Sequence, residues 1–209
     1  MITGKWTDIH NNPVKAENIF SKGSLIDLIG NSVKNFPEKP AIKVDNYLLT
    51  YKELGEMTSK IAGNLRLRGL ERQQTAAIFL PNTPETVLAF WSITKTGAAC
   101  VMTNPLYSEG ELMHTFNDSE VKVVITCDLL VSKIAAILDE TSIKNVYVVK
   151  MSEAEQNYED PRIHPWSDLL KDNQKLDLRH NLFDRDIVDY VDADSDGYIT
   201  KEELKKALD

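Results

Sequence analysis

From about residue 20 to 150 the chain alternates short, continuous apolar runs with amphipathic segments that open on helix caps, and this rhythm leaves few folds open to it. Thr75–Leu80, Ala98–Met102, Val121–Thr126 and Asn145–Val149 are too short for helices and apolar at successive positions. Such runs are strands covered on both faces, as in a parallel sheet. Between them stand helix signals. Ser24 with Asp27, Thr50 with Glu53 and Ser108 with Glu111 each place a hydroxyl three residues before a carboxylate, the reciprocal pattern that satisfies two free N–H groups at a helix start. Leu25, Leu28, Ile29 and Phe36 follow the first cap, with Pro37 and Pro40 ending that helix. Leu54, Thr58, Ile61 and Leu65 follow the second, with Gly69 at its end, and Leu112 and Phe116 follow the third.

Thr83-Pro84 opens a further helix to Gly97, on which Val87, Leu88, Phe90, Trp91 and Ile93 cover most of the circumference. A well-buried helix with Trp91 in the core is expected there. Leu129–Leu138 is the last helix of the series, and Ala41–Val44 with Tyr47–Thr50 form a pair of short strands around Asp45-Asn46. Strand, helix and strand at this spacing predict an α/β fold: an open parallel sheet with helices on both faces. Beyond Met151 the periodicity fades into a polar loop, a short helix over Trp166–Leu170 and a linker over 171–181.

Charge marks a second module. The formal net charge is −8, and residues 177–209 hold ten acids against five bases, so five of the eight excess negative charges lie there. A surface of this sign disfavours a nucleic-acid partner. Cys100 and Cys127 have no metal-type spacing and sit in or beside apolar runs, as buried free thiols do. No signal-like start and no membrane-length apolar run is present, and a cytoplasmic setting is expected by default. The four histidines are scattered, and Lys60, Arg66, Arg68 and Arg72 read as a solvated helix face.

The blocks LPNTPETVLAF (80–90), KTGAA (95–99), TNPLYSEGEL (103–112) and NDS (117–119), with FPEKPAI (36–42) and LTYKEL (49–54) upstream, together resemble the adenylate-forming acyl-CoA synthetases. The block at Asn104-Pro105-Leu106-Tyr107 leans toward fatty-acid or aryl-acid CoA ligases. The resemblance implies a partial N-terminal subdomain over residues 20–176. It also implies a chemistry in which a carboxylate attacks ATP, with Mg²⁺, and the acyl group then passes from AMP to coenzyme A. That chemistry rests on a glycine-rich phosphate loop ending in lysine, since only glycines let backbone N–H groups converge on phosphate oxygens. None of the nine glycines has that spacing, and after Gly110 only Gly197 remains. No catalytic or nucleotide-binding residue carries over, and these residues alone are not expected to catalyse.

The acidic tail holds a different signal. Asp192-Ala-Asp-Ser-Asp-Gly-Tyr-Ile-Thr-Lys-Glu-Glu203 fits the twelve-residue calcium loop of an EF-hand. Calcium takes six to eight oxygens. Asp192, Asp194 and Asp196 offer carboxylates, Tyr198 its carbonyl, Thr200 a hydroxyl or a bridging water, and Glu203 two oxygens, while Gly197 permits the turn. Val188 and Val191 before the loop, and Leu204, Ala207 and Leu208 after it, have helical spacing. A small all-α helix-loop-helix over 177–209 is expected; the plainer reading is a solvated acidic turn. No second loop is present to pair with it, so the expected partners are a calcium ion and a second chain, carrying either another hand or the rest of a ligase. A calcium-responsive regulatory protein, docking through its α/β part, is the alternative function.

Overall fold

The structure, a computed structural model, describes residues 24–153 and 158–172. The calcium loop with its flanks, most of the 171–181 linker and part of the 151–161 loop therefore lie outside the described residues.

Helix α1 (Leu25–Asn35) starts at the predicted box, with the Asp27 amide donating to Ser24 Oγ at 3.3 Å, and leads into the hairpin of β1 (Pro40–Val44) and β2 (Tyr47–Thr50). β1 and β2 pair antiparallel, and Asp45 turns the corner at φ 50°, a left-handed conformation that Asp tolerates better than most residues. Pro40 begins β1, so Pro37 alone follows the helix end directly. α2 (Tyr51–Leu67) opens on the second predicted box, and Gly69 just past its end takes φ 89°.

The main sheet follows: β3 (Thr75–Phe79), α3 (Pro84–Thr96), β4 (Ala99–Met102), α4 (Glu109–Asp118), β5 (Val121–Cys127), α5 (Val131–Ile137) and β6 (Asn145–Val149). α5 runs on into a 3₁₀ turn at Leu138–Glu140, so the expected single helix to Leu138 is shorter and tighter at its end. A last strand, β7 (Ile163–Pro165), completes a five-stranded, all-parallel sheet in the order β4-β3-β5-β6-β7. Ala77 of β3 stands level with Val101 of β4 and Val124 of β5.

Alternation along the strands feeds two cores. Ala76, Ile78, Val123, Ile125 and Tyr147 pack with Ile61, Leu65, Leu88 and Ile93 of α2 and α3. Ala77, Phe79, Val124, Val146 and Val148 pack on the other face with Leu112 and Phe116 of α4 and Ile134 of α5. The sheet is thus covered on both sides, as its unbroken apolar strands require. Each fully buried Leu, Ile or Phe contributes roughly 1.5–3 kcal/mol.

Three expectations are corrected. The buried stripe of α3 is Thr86, Leu88, Ala89, Ser92, Ile93 and Thr96; Val87, Phe90 and Trp91 are only partly buried, so Trp91 flanks the core. Small residues face inward because α2 lies close, and Ser92 and Thr96 satisfy their hydroxyls on the carbonyls of Leu88 and Ile93. The Arg and Lys residues around α2 are not simply solvated. Arg66 donates to the Thr96 carbonyl at 3.0 Å, Arg68 meets Asp168 at 3.2 Å and Lys60 meets Asp172 at 2.6 Å. Cys127 is buried as expected, whereas Cys100, on the edge strand β4, is half-buried. Among the described residues no helix is long and apolar enough to cross a membrane.

Candidate functional site

In an open parallel sheet, ligands sit beyond the carboxyl ends of the strands, where successive connections diverge. The chain leaves β3 toward β4 on one side, then returns through α4 to β5 on the other. The divergence therefore lies between the carboxyl ends of β3 and β5. It is bordered by Leu80–Thr83 after β3, Thr103–Ser108 after β4 and Asp128–Leu130 after β5. The family-like blocks at 80–90 and 103–112 fall on this rim.

Each loop is held by its own side chains. Thr86 Oγ1 donates to the Pro81 carbonyl at 2.6 Å, fixing the entry into α3. The Thr103 amide donates to the Ile78 carbonyl at 2.9 Å and ties the exit of β4 to β3. Asn104 Oδ1 accepts the Leu106 amide at 3.0 Å, an Asx turn that aims Leu106 outward. Ser108 donates from its amide and its hydroxyl to Glu111 at 2.8 and 2.7 Å, and these bonds hold the Glu111 carboxyl below the ordinary range. Lys133 Nζ donates to the Tyr107 carbonyl at 2.8 Å, linking the β4 loop to α5.

Asp128 accepts the Met151 amide at 3.1 Å, and the amide and hydroxyl of Ser152 at 2.9 and 2.7 Å. Desolvation pushes its carboxyl up, but the Ser152 and Met151 bonds outweigh it and the group sits below its usual value. Asp128 therefore clamps the β5 exit to the β6 exit. Its place directly after an apolar strand was the available signal; its partners more than 20 positions on were not readable. Thr126, at the end of β5, is fully buried with its hydroxyl unpartnered among the described residues.

These groups build a stiff wall, and none of them forms a nucleophile held by a base. Burial raises the thiol of Cys100 to about 11 and that of Cys127 above its ordinary value, which keeps both protonated and inert at neutral pH. Three large apolar side chains stand exposed on the wall: Leu106 is 85% exposed, Leu129 64% and Met102 58%. Among the described residues no cluster of His, Cys, Asp or Glu could hold a metal ion. The predicted calcium ligands Asp192, Asp194, Asp196, Tyr198, Thr200 and Glu203 lie outside them.

A family model described as AMP-binding enzyme matches residues 30–188, well over half of the chain. The match runs past residue 176 and stops short of Asp192. The chain is 34% identical over 128 residues to a long-chain-fatty-acid–CoA ligase from Bacillus subtilis, covering 61% of this chain and 23% of that protein. It is 39% identical over 98 residues to acetyl-coenzyme A synthetase 2 from Candida glabrata, covering 44% of this chain and 14% of the relative. In fold it resembles a long-chain-fatty-acid-CoA ligase from Archaeoglobus fulgidus, with TM-score 0.57 and 25% identity over 62% of this chain and 28% of that one. Coronafacic acid ligase from Pectobacterium brasiliense shares the fold at TM-score 0.63 and 15% identity, over 69% of this chain and 28% of the other. The chain thus spans less than a quarter of the length of these curated relatives. With the doubly covered parallel sheet and its carboxyl-end wall, the match places this chain in the AMP-binding enzyme family.

Proposed function

We propose that these residues form the leading part of the large lobe of a fatty-acid or aryl-acid CoA ligase, and supply one wall of its site and not its reacting groups. The observation that carries this reading is the carboxyl-end wall: Thr86, Asn104, Ser108 and Asp128 commit their polar atoms to the scaffold, while Met102, Leu106 and Leu129 stand exposed. The absence of any lysine-terminated glycine loop in the 209 residues supports it further. ATP, Mg²⁺ and coenzyme A would be held by residues of a longer protein or of a second chain. The test is pyrophosphate release by the purified protein with ATP and palmitate. Only background turnover is expected, and turnover well above it ends the proposal.

The Asp192–Glu203 loop favours a second reading, in which the protein also responds to calcium and its α/β part is a docking surface. Six oxygen-bearing positions at EF-hand spacing, in a segment of five excess negative charges, support it. An unpaired hand binds weakly, toward about 10⁻⁴ M. Calorimetric titration with Ca²⁺ should show one such site, lost in Asp192→Ala with Glu203→Ala. Unchanged binding in that double variant refutes the assignment.

A further inference from the structure

Apart from the residues of the carboxyl-end wall, α1, α2 and the end of α3 line an open cleft of about 480 Å³. α3 runs back against the direction of β3, so its last turn, which carries Lys95, lies toward the amino ends of the strands. The size falls within the roughly 300–1,000 Å³ of small-molecule pockets. Ile26, Ile29 and Val33 of α1 give it an apolar wall. Its charged lining consists of Lys34 of α1, Lys52 and Glu56 of α2, and Lys95 of α3, three cations against one anion.

Lys95 is mostly buried and has no ion-pair partner among the described residues. Its ammonium donates to the Gly55 carbonyl at 3.1 Å, Thr58 Oγ1 at 2.8 Å and Ser59 Oγ at 2.9 Å. These acceptors satisfy its hydrogens but bring no negative charge, and a buried cation without a counter-charge is costly. The longest of the three contacts is also the replaceable one. The Gly55 carbonyl already accepts the Ser59 hydroxyl at 2.8 Å, so it keeps a partner if the ammonium turns away.

We propose that this cleft binds an amphipathic monocarboxylate, whose head group pairs with Lys95 in place of the Gly55 carbonyl and whose apolar body lies along Ile26, Ile29 and Val33. The ligand needs neither ATP nor the carboxyl-end wall, so the site stands apart from the ligase reading. Burial holds the Lys95 amine down to about 8. A bound carboxylate favours the ammonium, so binding takes up a proton above that pH and weakens as pH rises further.

Octanoate is the probe, with octanol as its uncharged counterpart, titrated calorimetrically into the 209-residue protein. Two variants separate fold from site. Lys95→Met removes the charge. Gly30→Leu fills the cleft from α1, because a Cβ at Gly30 meets nothing within 4 Å and the residue lines the cavity without contacting Lys95. Octanoate should bind at least about tenfold tighter than octanol, and each variant should lose about tenfold or more. Octanoate affinity should also fall about tenfold between about pH 7.5 and 9.5 in the unmodified protein. No octanoate binding at millimolar concentration, equal binding of octanol, or full affinity in folded Gly30→Leu overturns the proposal. If Lys95→Met does not fold, the Gly30→Leu and pH measurements still decide.

Discussion

Asn64 shows how much one buried amide can hold. Its Nδ2 donates to the carbonyls of Leu169 at 2.8 Å and Lys171 at 3.0 Å, more than 100 positions away, and pins the returning chain onto α2. Asn64→Ala leaves both carbonyls without that donor and should destabilise the protein by about 2 kcal/mol in urea unfolding. Thr126 is the opposite case. Its hydroxyl is fully buried and unpartnered among the described residues, so the near-isosteric Thr126→Val should stabilise by about 1 kcal/mol. Loss of stability in that variant would reveal a partner for the hydroxyl. Lys95 carries a pH signature at this same scale. Its amine titrates near 8 in the folded protein against an ordinary value of 10.5. Between those values the unfolded chain binds the extra proton, so stability rises with pH through this window and the full penalty applies below it. Cys100, raised to about 11, contributes with the opposite sign. The informative quantity is therefore the difference between the unmodified protein and Lys95→Met, whose urea midpoints should converge as pH rises from about 8 to about 10.

At the scale of elements, two glycines on facing helices behave differently. Gly30, inside α1, has open space where a Cβ would stand, so Gly30→Ala should add about 0.5–1 kcal/mol through helix propensity alone. Gly55, inside α2, would place its Cβ 3.0 and 3.1 Å from the two methyls of Val33, so α1 must yield before the same gain is realised. Gly55→Ala should therefore fall short of Gly30→Ala in thermal unfolding, and Val33→Ala in the Gly55→Ala background should recover the difference; equal effects would refute the close approach. Why the two helices start where they do was legible in the sequence. Ser24, Thr50 and Ser108 each stand three residues before their carboxylate, and all three boxes form. A cap is a local device, so its signal is local. β7 gave no such signal. It has three residues, ends on Pro165, and belongs to the sheet only because it lies beside β6 at an edge where a missing N–H is tolerated. The ion pairs of Lys60 and Arg68 were hidden for the same reason, since Asp172 and Asp168 sit a hundred residues on. At the site, the blocks at 80–90 and 103–112 were visible as text, but that they meet at one rim follows from the strand order β4-β3-β5.

At the scale of the whole molecule the decisive property is that, among the described residues, several large apolar side chains stand exposed at the carboxyl end of the sheet. Leu106 projects almost entirely into solvent, and Leu129, Met102 and Met151 surround the same carboxyl-end rim. Monomeric proteins rarely keep contiguous apolar patches uncovered, and a family member of the relatives' length has more than three quarters of its chain available to cover this one. The isolated 209 residues should then associate with each other through the rim as concentration rises. Leu106→Asp with Leu129→Asp is the discriminating variant. Both side chains are mostly solvated, so the pair should alter thermal stability by no more than about 0.5 kcal/mol each while shifting sedimentation toward the monomer. If the unmodified protein sediments as a monomer across the micromolar range, the rim is not an uncovered interface. If it associates and the double aspartate variant associates equally, the contact lies elsewhere, with the exposed Leu25 and Leu28 of α1 the next surface to alter.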